Sequence, residues 1–297
     1  MFALSLLIGY FLSEPLRLLV RKAAAFQAGA DVAFEPDDRL HEADELSRSF
    51  HALAQTAKAR QRDLALKERR QTQFVGDVAH ELRTPLTAIH GNAELLLDPD
   101  LPPEMHEKFC SIIISESERL SRLTNDLLTL QRIEDDTTPV ELVRVDLNGL
   151  AHDVLDALGP ILRERKANVT LAGEAPDVLG SPGRLKQVVF NLVENASRFI
   201  EPGGHVTVEL FGLKGRSILA VKDDGCGFGD DDPKLLFDRF YRTDLSRSRG
   251  TGGTGLGLAI VKSVVEAHDG TVDAFNLPEG GACFIVALPS IPTKDAA

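Results

Sequence analysis

Two stretches of the chain share one spacing of mostly apolar residues, and this spacing constrains the fold more than any other feature. Its positions follow one another at alternating intervals of four and three residues, which is typical of helices that pack along a narrow seam. The first stretch has Val75, Ala79, Leu82, Leu86, Ile89, Ala93 and Leu96, and the second has Phe109, Ile113, Glu116, Leu120, Leu123, Leu127 and Leu130. Turn-forming residues 98–103 separate the stretches, so the pattern predicts a helical hairpin.

One hairpin alone would leave a long apolar seam in contact with water. Pairing with a second copy into a four-helix bundle is the simplest way to bury that seam. The sequence therefore predicts a homodimer formed through a domain at residues 61–137.

The rest of the composition excludes several classes of protein. A length of 297 residues favours two or three units over one large core. A net charge of −12 argues against a general nucleic-acid-binding surface. The three scattered cysteines (Cys110, Cys226 and Cys283) form neither a disulfide framework nor a zinc knuckle, which indicates a reducing compartment.

Residues 2–12 form an uncharged apolar run, whereas a membrane-spanning helix needs about 20 such residues. We interpret residues 1–13 as the end of a transmembrane helix whose beginning is missing from this chain; the alternative is a short buried or interfacial helix. Arg17, Arg21 and Lys22 follow, as suits the cytoplasmic side of a membrane. Residues 14–60 are expected to form a linker of two helices, one starting at Pro15 and one near Glu42.

From about residue 138 onward the pattern changes to that of an α/β domain, which we expect to span residues 138–297. Helical patterns lie at residues 147–166, 182–199 and 257–268. Residues 225–255 are rich in Gly and Asp and too long for a passive connector, so they indicate a lid or binding loop. Strand-like runs lie at residues 140–145, 168–171, 205–211, 217–221, 271–275 and 283–288.

His80 is the first residue that could carry chemistry. If Ala79 faces the bundle core, His80 is rotated about 100° from it and points to solvent, beside Glu81 and one turn before Thr84. A zinc motif of the H-E-x-x-H kind is excluded because Thr84 stands where the second histidine would be. An exposed imidazole beside a carboxylate suits nucleophilic attack. Taken alone, an exposed histidine such as His80 is more often an ordinary surface residue than a nucleophile.

Three further motifs suit a bound nucleotide. Asn191 and Asn195 share one helix face with Glu194, offering oxygen ligands to Mg²⁺ on a phosphate, or else forming a buried amide pair. Asp223 precedes Gly225 and Gly227 after a strand and could accept from an exocyclic amine, although the motif could also be a turn. Glycines from Gly250 to Gly257 precede an apolar helix and could cradle phosphate. No strand precedes them and no Gly-Lys-Ser/Thr is present, so neither a dinucleotide fold nor a P-loop is expected.

In this order the motifs resemble the H, N, G1, F and G2 boxes of sensor histidine kinases, over about residues 61–290. More weakly, residues 14–60 resemble a HAMP linker. The matching stretches are His80-Glu81-Leu82-Arg83-Thr84-Pro85-Leu86, Asn191-x-x-x-Asn195, Asp223-x-Gly225-x-Gly227, Phe237-Asp238-Arg239-Phe240-Tyr241-Arg242 and Gly253-x-Gly255-x-Gly257.

The resemblance implies a multidomain protein: an all-α hairpin in a dimeric four-helix bundle, followed by a two-layer α/β sandwich of the Bergerat type that binds ATP and Mg²⁺. It implies that His80 accepts the γ-phosphoryl group and passes it to an Asp of a response regulator, at the cytoplasmic face of a bacterial membrane. Glu81 would then be the acid/base, and Thr84 would position water when the protein dephosphorylates its partner.

The resemblance also implies a role for each residue of the nucleotide site. Asp223 would hold the adenine amine. The expected contacts to nucleotide, phosphates or metal come from Asn191, Asn195, Arg198, Gly225, Gly227, Phe237, Arg242, Gly253, Thr254, Gly255, Leu256 and Gly257, with Asn195 and Asn191 at Mg²⁺. Two alternatives remain: an ATPase of the gyrase and Hsp90 kind, and a scaffold that binds a regulator without turnover.

Overall fold

The computed structural model describes residues 14, 17–18, 20–27, 41–134, 141–243 and 253–291. The chain divides into two compact units at Gly76, one up to that residue and one from Asp77 onward. None of the helices in these described ranges is long and apolar enough to cross a membrane. The apolar run at residues 2–12, Pro15, the connector after residue 27 and the glycines Gly250 and Gly252 lie outside the described residues.

In the first unit, residues 20–27 are helical and a second helix, α1 (His41–Leu95), begins after the connector. Phe26 and Phe50 pack on buried Ala54, and the Lys58 ammonium lies 6.0 Å from the centre of the Phe26 ring. The expected pair of helices is therefore present. Instead of ending before residue 61, however, the second helix continues without a break for 55 residues.

The predicted hairpin is formed by α1 and by α2 (Pro103–Glu134). A turn joins them, in which the Asp98 carboxylate accepts from the Asp100 backbone at 3.0 Å. Pro85 lies inside α1 and cannot donate to the Glu81 carbonyl, so the helix lacks one backbone hydrogen bond one turn beyond His80.

The two halves of the predicted seam differ in burial. On α2, Leu123 and Leu130 are only 3% and 1% exposed, because they join the core of the α/β domain. On α1, Val75 and Leu86 are 62% and 54% exposed. An apolar strip on α1 is therefore left uncovered by the other residues that the structure describes.

Among its described residues, the α/β domain has seven strands and three α-helices. Its helices are α3 (Leu147–Glu164), α4 (Pro182–Phe199) and α5 (Gly257–Glu266), and a short 3-10 helix spans Leu235–Phe237. The strands are β1 (Val143–Val145), β2 (Asn168–Glu174), β3 (Val178–Gly180), β4 (His205–Leu213), β5 (Arg216–Asp223), β6 (Thr271–Asn276) and β7 (Ala282–Pro289).

Five strands form one sheet in the order β2-β4-β5-β7-β6, in which only β2 and β4 run parallel. On β4, Val206, Val208 and Leu210 are buried while Glu209 between them is not, as expected when helices cover one face of a sheet. The remaining two strands, β1 and β3, pair separately. Of the described strands, only β3 was missed by the sequence analysis; β1 is equally short, but it lies at the end of an apolar run that begins at Val140.

Local signals explain why the predicted bounds of the helices are close to those found. Asp146 caps α3, since its carboxylate accepts from the Asn148 backbone at 2.9 Å. Pro182 occupies the first position of α4, directly after extended Ser181, and extended Ile200 ends the helix. Lys166 has a φ of +55° at the end of the segment predicted as α3, which stops the helix there.

Candidate functional site

A cavity of about 750 Å³ lies in the second unit, between the α/β domain and α2 of the hairpin. Ten of the thirteen residues predicted to contact nucleotide line it: Asn191, Asn195, Arg198, Asp223, Gly227, Arg242, Gly253, Thr254, Gly255 and Gly257. The fold therefore brings together motifs that are separated by up to 66 positions in the chain.

Asp223 stands at the end of β5, where its side chain is 5% exposed. Burial raises the pKa of its carboxyl group, although hydrogen bonds from the Gly225 and Ala282 backbones at 3.0 and 3.2 Å oppose that shift. Both amides donate to Oδ1, and Oδ2 has no hydrogen-bond partner among the described residues. One carboxylate oxygen is therefore available to a donor in the cavity.

Two glycines permit the close packing around this carboxylate and the neighbouring loop. Gly281 has a φ of +89°, and a Cβ there would lie 1.9 Å from the Asp223 carbonyl oxygen. Gly255 has a φ of +71°, and a Cβ there would lie 2.9 Å from Cα of Phe240. Any side chain at either position would displace the backbone beside the cavity.

The amides on α4 differ in their surroundings. Asn191 is buried; its Oδ1 accepts from Gln187 at 2.9 Å and its Nδ2 donates to the Gly257 carbonyl at 3.0 Å. It therefore fits the alternative interpretation of a buried structural amide and ties α4 to the start of α5. The Asn195 side chain, one turn later, has no hydrogen bond to the described residues and also lines the cavity.

Charged residues of α4 form an ion-pair cluster at the cavity wall. The Glu194 carboxylate accepts from Arg198, and it also lies 3.4 Å from a guanidinium nitrogen of Arg165. Arg165 donates further to Ser197 Oγ at 2.7 Å. Arg198 thus lines the cavity while its guanidinium is paired with Glu194. A bound phosphate would share that guanidinium with the Glu194 carboxylate.

Three predicted residues, Gly225, Phe237 and Leu256, do not line the cavity. Leu256 is fully buried in the core, and Phe237 packs edge-on against Phe284, a cavity residue, with ring centres 6.3 Å apart. Gly225 contributes through the hydrogen bond to Asp223. These residues support the walls of the site and do not form its surface.

His80, Glu81 and Thr84 also lie outside the cavity, on α1. His80 and Thr84 are exposed, as predicted, and the Thr84 hydroxyl donates to the His80 carbonyl oxygen at 3.3 Å. Glu81 is half-buried, and its Oε2 accepts from Arg119 of α2 at 3.0 Å.

The sequence analysis missed the contribution of α2 to the site. Glu118, Arg122 and Asp126 line the cavity at intervals of four residues, as one face of a helix. Asp126 accepts from the Thr254 hydroxyl at 2.8 Å, and burial raises the pKa of this carboxyl group. The four-residue spacing was visible in the sequence, but nothing there indicates that the α/β domain packs against this face.

The oxygen ligands at the cavity suit a metal ion that is shared with a phosphate. Among the residues that the structure describes, no group of three or more His, Cys, Asp or Glu side chains could hold a metal ion by itself. Asn195 instead offers one amide oxygen beside a cavity with room for a phosphate ligand. Such a site fits Mg²⁺, which keeps several waters and is held jointly by protein and phosphates.

Comparison with known proteins agrees with this architecture. Residues 70–136 match the His Kinase A (phospho-acceptor) domain, and residues 180–292 match the histidine kinase-, DNA gyrase B- and HSP90-like ATPase family. The fold and site thus define a phospho-acceptor hairpin joined to an ATPase domain of this kind. The chain belongs to the two-component sensor histidine kinases.

Individual relatives show the extent of the similarity. The chain is 40% identical to the probable sensor histidine kinase TcrY of Mycobacterium tuberculosis over 82% of its length, and 33% identical to the sensor-like histidine kinase SenX3 of Mycolicibacterium smegmatis over 80%. It spans 50% and 62% of the length of these relatives. The structure of full-length ShkA in complex with AMPPNP is 30% identical, with a TM-score of 0.53, over 72% of this chain and 45% of that one.

We expect Asp223→Asn to gain stability relative to the wild type as the pH rises above about 4, the usual pKa of an Asp in an unfolded chain. Because the pKa of Asp223 is raised from 3.8 by burial, ionisation is disfavoured in the folded state, and wild-type stability falls as the pH rises through that pKa. An amide keeps the Oδ1 acceptor without the charge. Urea unfolding of both proteins across this pH range measures the difference.

Asp224→Asn is the matched control, because it should show the opposite trend. Although burial alone would raise the pKa of Asp224, hydrogen bonds from the His205 backbone and side chain outweigh it and lower that pKa. Its charge therefore stabilises the fold above pH 3.8, and this contribution is lost as the pH falls. The same sign for both variants would contradict the proposed environment of Asp223.

Proposed function

We propose that this protein is an ATP-dependent histidine kinase that phosphorylates its own His80 and transfers the phosphoryl group to an Asp of a response regulator. One observation carries the proposal: the N, G1, F and G2 motifs meet at a single cavity with a buried carboxylate, in the same unit as an exposed histidine on a phospho-acceptor hairpin. Neither a plain ATPase nor a binding scaffold requires both features together.

The cavity suits ATP in both shape and chemistry. Oδ2 of Asp223 is available to the adenine amine, and Ile161, Phe190 and Phe199 supply apolar surface among the lining residues. Arg198 and Arg242 supply positive charge for phosphates at the same cavity. The complex of ShkA with AMPPNP, an adenine nucleotide, supports this assignment.

Asn195 is the α4 residue that holds Mg²⁺ in this proposal, since the side-chain oxygen and the side-chain nitrogen of Asn191 both have partners within the protein. The ion supplies neutralisation of triphosphate charge, which carries much of phosphoryl-transfer catalysis. Asn191 then acts by keeping α4 and the start of α5 in register, so that Asn195 and the glycine loop face the same cavity.

At His80, one imidazole nitrogen forms a bond to the γ-phosphorus while the bond from that phosphorus to the β–γ bridging oxygen breaks. The electron pair of the broken bond leaves with ADP, and Glu81 takes the ring proton and releases it to solvent. His80 does not line the cavity in the arrangement described here. Transfer within one chain therefore requires a second arrangement, in which the cavity reaches the imidazole.

Incubation with γ-³²P-labelled ATP and Mg²⁺ tests this reaction. We expect an acid-labile label on the wild type and only background label on His80→Gln, which should still bind nucleotide because His80 lies outside the cavity. His90→Gln is the control, since His90 is another exposed histidine of α1 and should retain full labelling.

Three other results would each contradict the proposal. Label that persists in His80→Gln would mean that another residue is the phosphoacceptor. Release of free phosphate without any protein label would favour an ATPase of the gyrase and Hsp90 kind. Failure of the wild type to bind ATP and Mg²⁺ in a titration would favour a scaffold without turnover.

The proposal extends to dephosphorylation of the regulator, because Thr84 exposes a hydroxyl one helical turn beyond His80. Thr84→Ala should slow dephosphorylation about tenfold to a hundredfold, as expected for loss of a group that positions water, and leave autophosphorylation within about twofold. Decay of a phosphorylated receiver domain, loaded by the wild-type kinase, measures the first rate.

Thr87→Ala is the control for Thr84→Ala. Thr87 lies on the same helix, is exposed, and donates to the Arg83 carbonyl in the way that Thr84 donates to His80. An equal loss of both activities in Thr84→Ala would mean that Thr84 is structural.

A homodimer formed through α1 completes the proposal, since the strip that contains Val75 and Leu86 is exposed in the single chain. Leu86→Asp should convert dimers to monomers in sedimentation velocity, because a charge at the centre of an apolar interface loses solvation. Leu123 is less suitable, because it is buried in the core of its own chain.

Leu97→Asp is the control for the dimer, because Leu97 is 82% exposed and lies outside the predicted seam. It should remain dimeric. An unchanged dimer in Leu86→Asp would show that the interface lies elsewhere.

Residues 14–60 serve as a HAMP-like linker in this proposal. The packing of Phe26, Phe50 and Ala54 supports two helices in contact there. Because α1 is continuous from His41 to Leu95, the second helix of the linker and the phospho-acceptor helix are the same helix. Attachment to a membrane through residues 1–13 remains part of this proposal.

A further inference from the structure

An ion-pair cluster inside the hairpin includes Glu81, the residue that follows the proposed phosphoacceptor His80 in the chain. Arg119 of α2 donates from Nη2 to Oε2 of Glu81 on α1 at 3.0 Å. Its other terminal nitrogen, Nη1, lies 3.5 Å from Oε2 of Glu116, one turn earlier on α2. The three side chains are only 18% to 28% exposed. One guanidinium therefore lies between two partly buried carboxylates.

The position of Glu116 is unusual for the core of a hairpin. This glutamate occupies a seam position whose neighbours in the repeat are Ile113 and Leu120, both half-buried. Its Oε2 is buried and has no hydrogen bond, so the contact with Arg119 is its charge partner among the described residues. A carboxylate at such a position loses solvation unless it is paired. Glu116 thus helps to hold the Arg119 guanidinium in place within the seam.

We infer that Arg119 is a positioning residue for the phosphorylation of His80, because it holds the carboxylate of Glu81. The inference rests on the proposed function, in which Glu81 takes the proton of the His80 ring. A glutamate side chain on the surface of a helix samples several rotamers, and only some place the carboxylate beside the imidazole. A cross-hairpin bond from a planar guanidinium restricts that choice.

The second carboxylate gives Arg119 a partner throughout the reaction. When the ring nitrogen of His80 bonds to the γ-phosphorus and ADP leaves, the ring proton passes to Glu81, whose charge is neutralised. Arg119 then keeps Glu116 as its counter-charge and stays in place. Glu81 returns the proton to solvent and is again held as before.

Arg119→Gln should lower kcat of autophosphorylation about tenfold to a hundredfold, the loss expected when a reacting group is misplaced by about 1 Å. KM for ATP should stay within about twofold, because Arg119 does not line the nucleotide cavity. Arg119→Lys should recover part of the rate, since an ammonium keeps the positive charge between the carboxylates but not the planar arrangement of two donor nitrogens. Lys108→Gln, which removes one exposed positive charge from the same helix, is the control and should leave kcat unchanged.

Non-additivity separates positioning from general damage to the hairpin. If Arg119 acts through Glu81, adding Arg119→Gln to Glu81→Gln should cause no further loss of kcat. An equal loss in both backgrounds, or an unchanged kcat in the single variant, would overturn the inference. Thermal unfolding of each variant identifies any that fail to fold, in which case Arg119→Lys and Glu116→Gln carry the test.

A measurement without ATP distinguishes failure of this inference from failure of the proposed function. In protein labelled with ¹³C-glutamate, the side-chain carboxyl resonance of Glu81, assigned from its loss in Glu81→Gln, should move in Arg119→Gln and stay in place in Lys108→Gln. A resonance unaffected by Arg119→Gln would overturn the inference even if the wild type phosphorylates His80. Absence of labelling on the wild type would instead refute the proposed function.

Discussion

Burial of the apolar face of α4 is the interaction on which the nucleotide site depends. Val188, Leu192 and Ala196 are at most 1% exposed and share the core with the sheet and α5. Because a helix turns about 100° per residue, fixing this face also fixes Asn191 and Asn195 toward the cavity. The hydrogen bond from Asn191 to the Gly257 carbonyl then sets the start of α5, and with it the glycine loop. A hydrophobic contact therefore determines where the polar chemistry lies.

Sequence reasoning succeeded where one local rule governs a segment. The bounds of α4 follow from Pro182 at its start and from amphipathic spacing, and the hairpin follows from its four-three repeat. The meeting of Asn195 and Asp223 at one cavity followed only from resemblance, because no local rule joins distant motifs. Neither the local rules nor the resemblance contained the hydrogen bonds around the site. The structure supplied them, and they leave the Asn195 side chain and Oδ2 of Asp223 available.

Sequence reasoning was less successful where contacts between elements decide the outcome. The continuation of α1 back to His41 was missed because the expected linker suggested a boundary that no helix breaker marks. Glu116 was placed in the apolar repeat by spacing alone, and its role depends on Arg119 and Glu81, which are brought together only by the hairpin. The cavity residues of α2 depend in the same way on packing between hairpin and α/β domain.

That packing has a consequence for the reaction. Leu123 and Leu130 anchor α2 in the α/β core, while Asp126, beside them, accepts from Thr254 of the glycine loop. Asp126 lies seven residues beyond Arg119, which corresponds to about 10 Å along a helix. The cavity is thus held about two turns from the level of Glu81 and His80. Burial raises the pKa of the Asp126 carboxyl group, although the hydrogen bond from the Thr254 hydroxyl opposes that shift. For the proposed reaction to occur within one chain, the contacts of Leu123, Leu130 and Asp126 with the α/β domain would have to change, because they fix the distance between the cavity and His80.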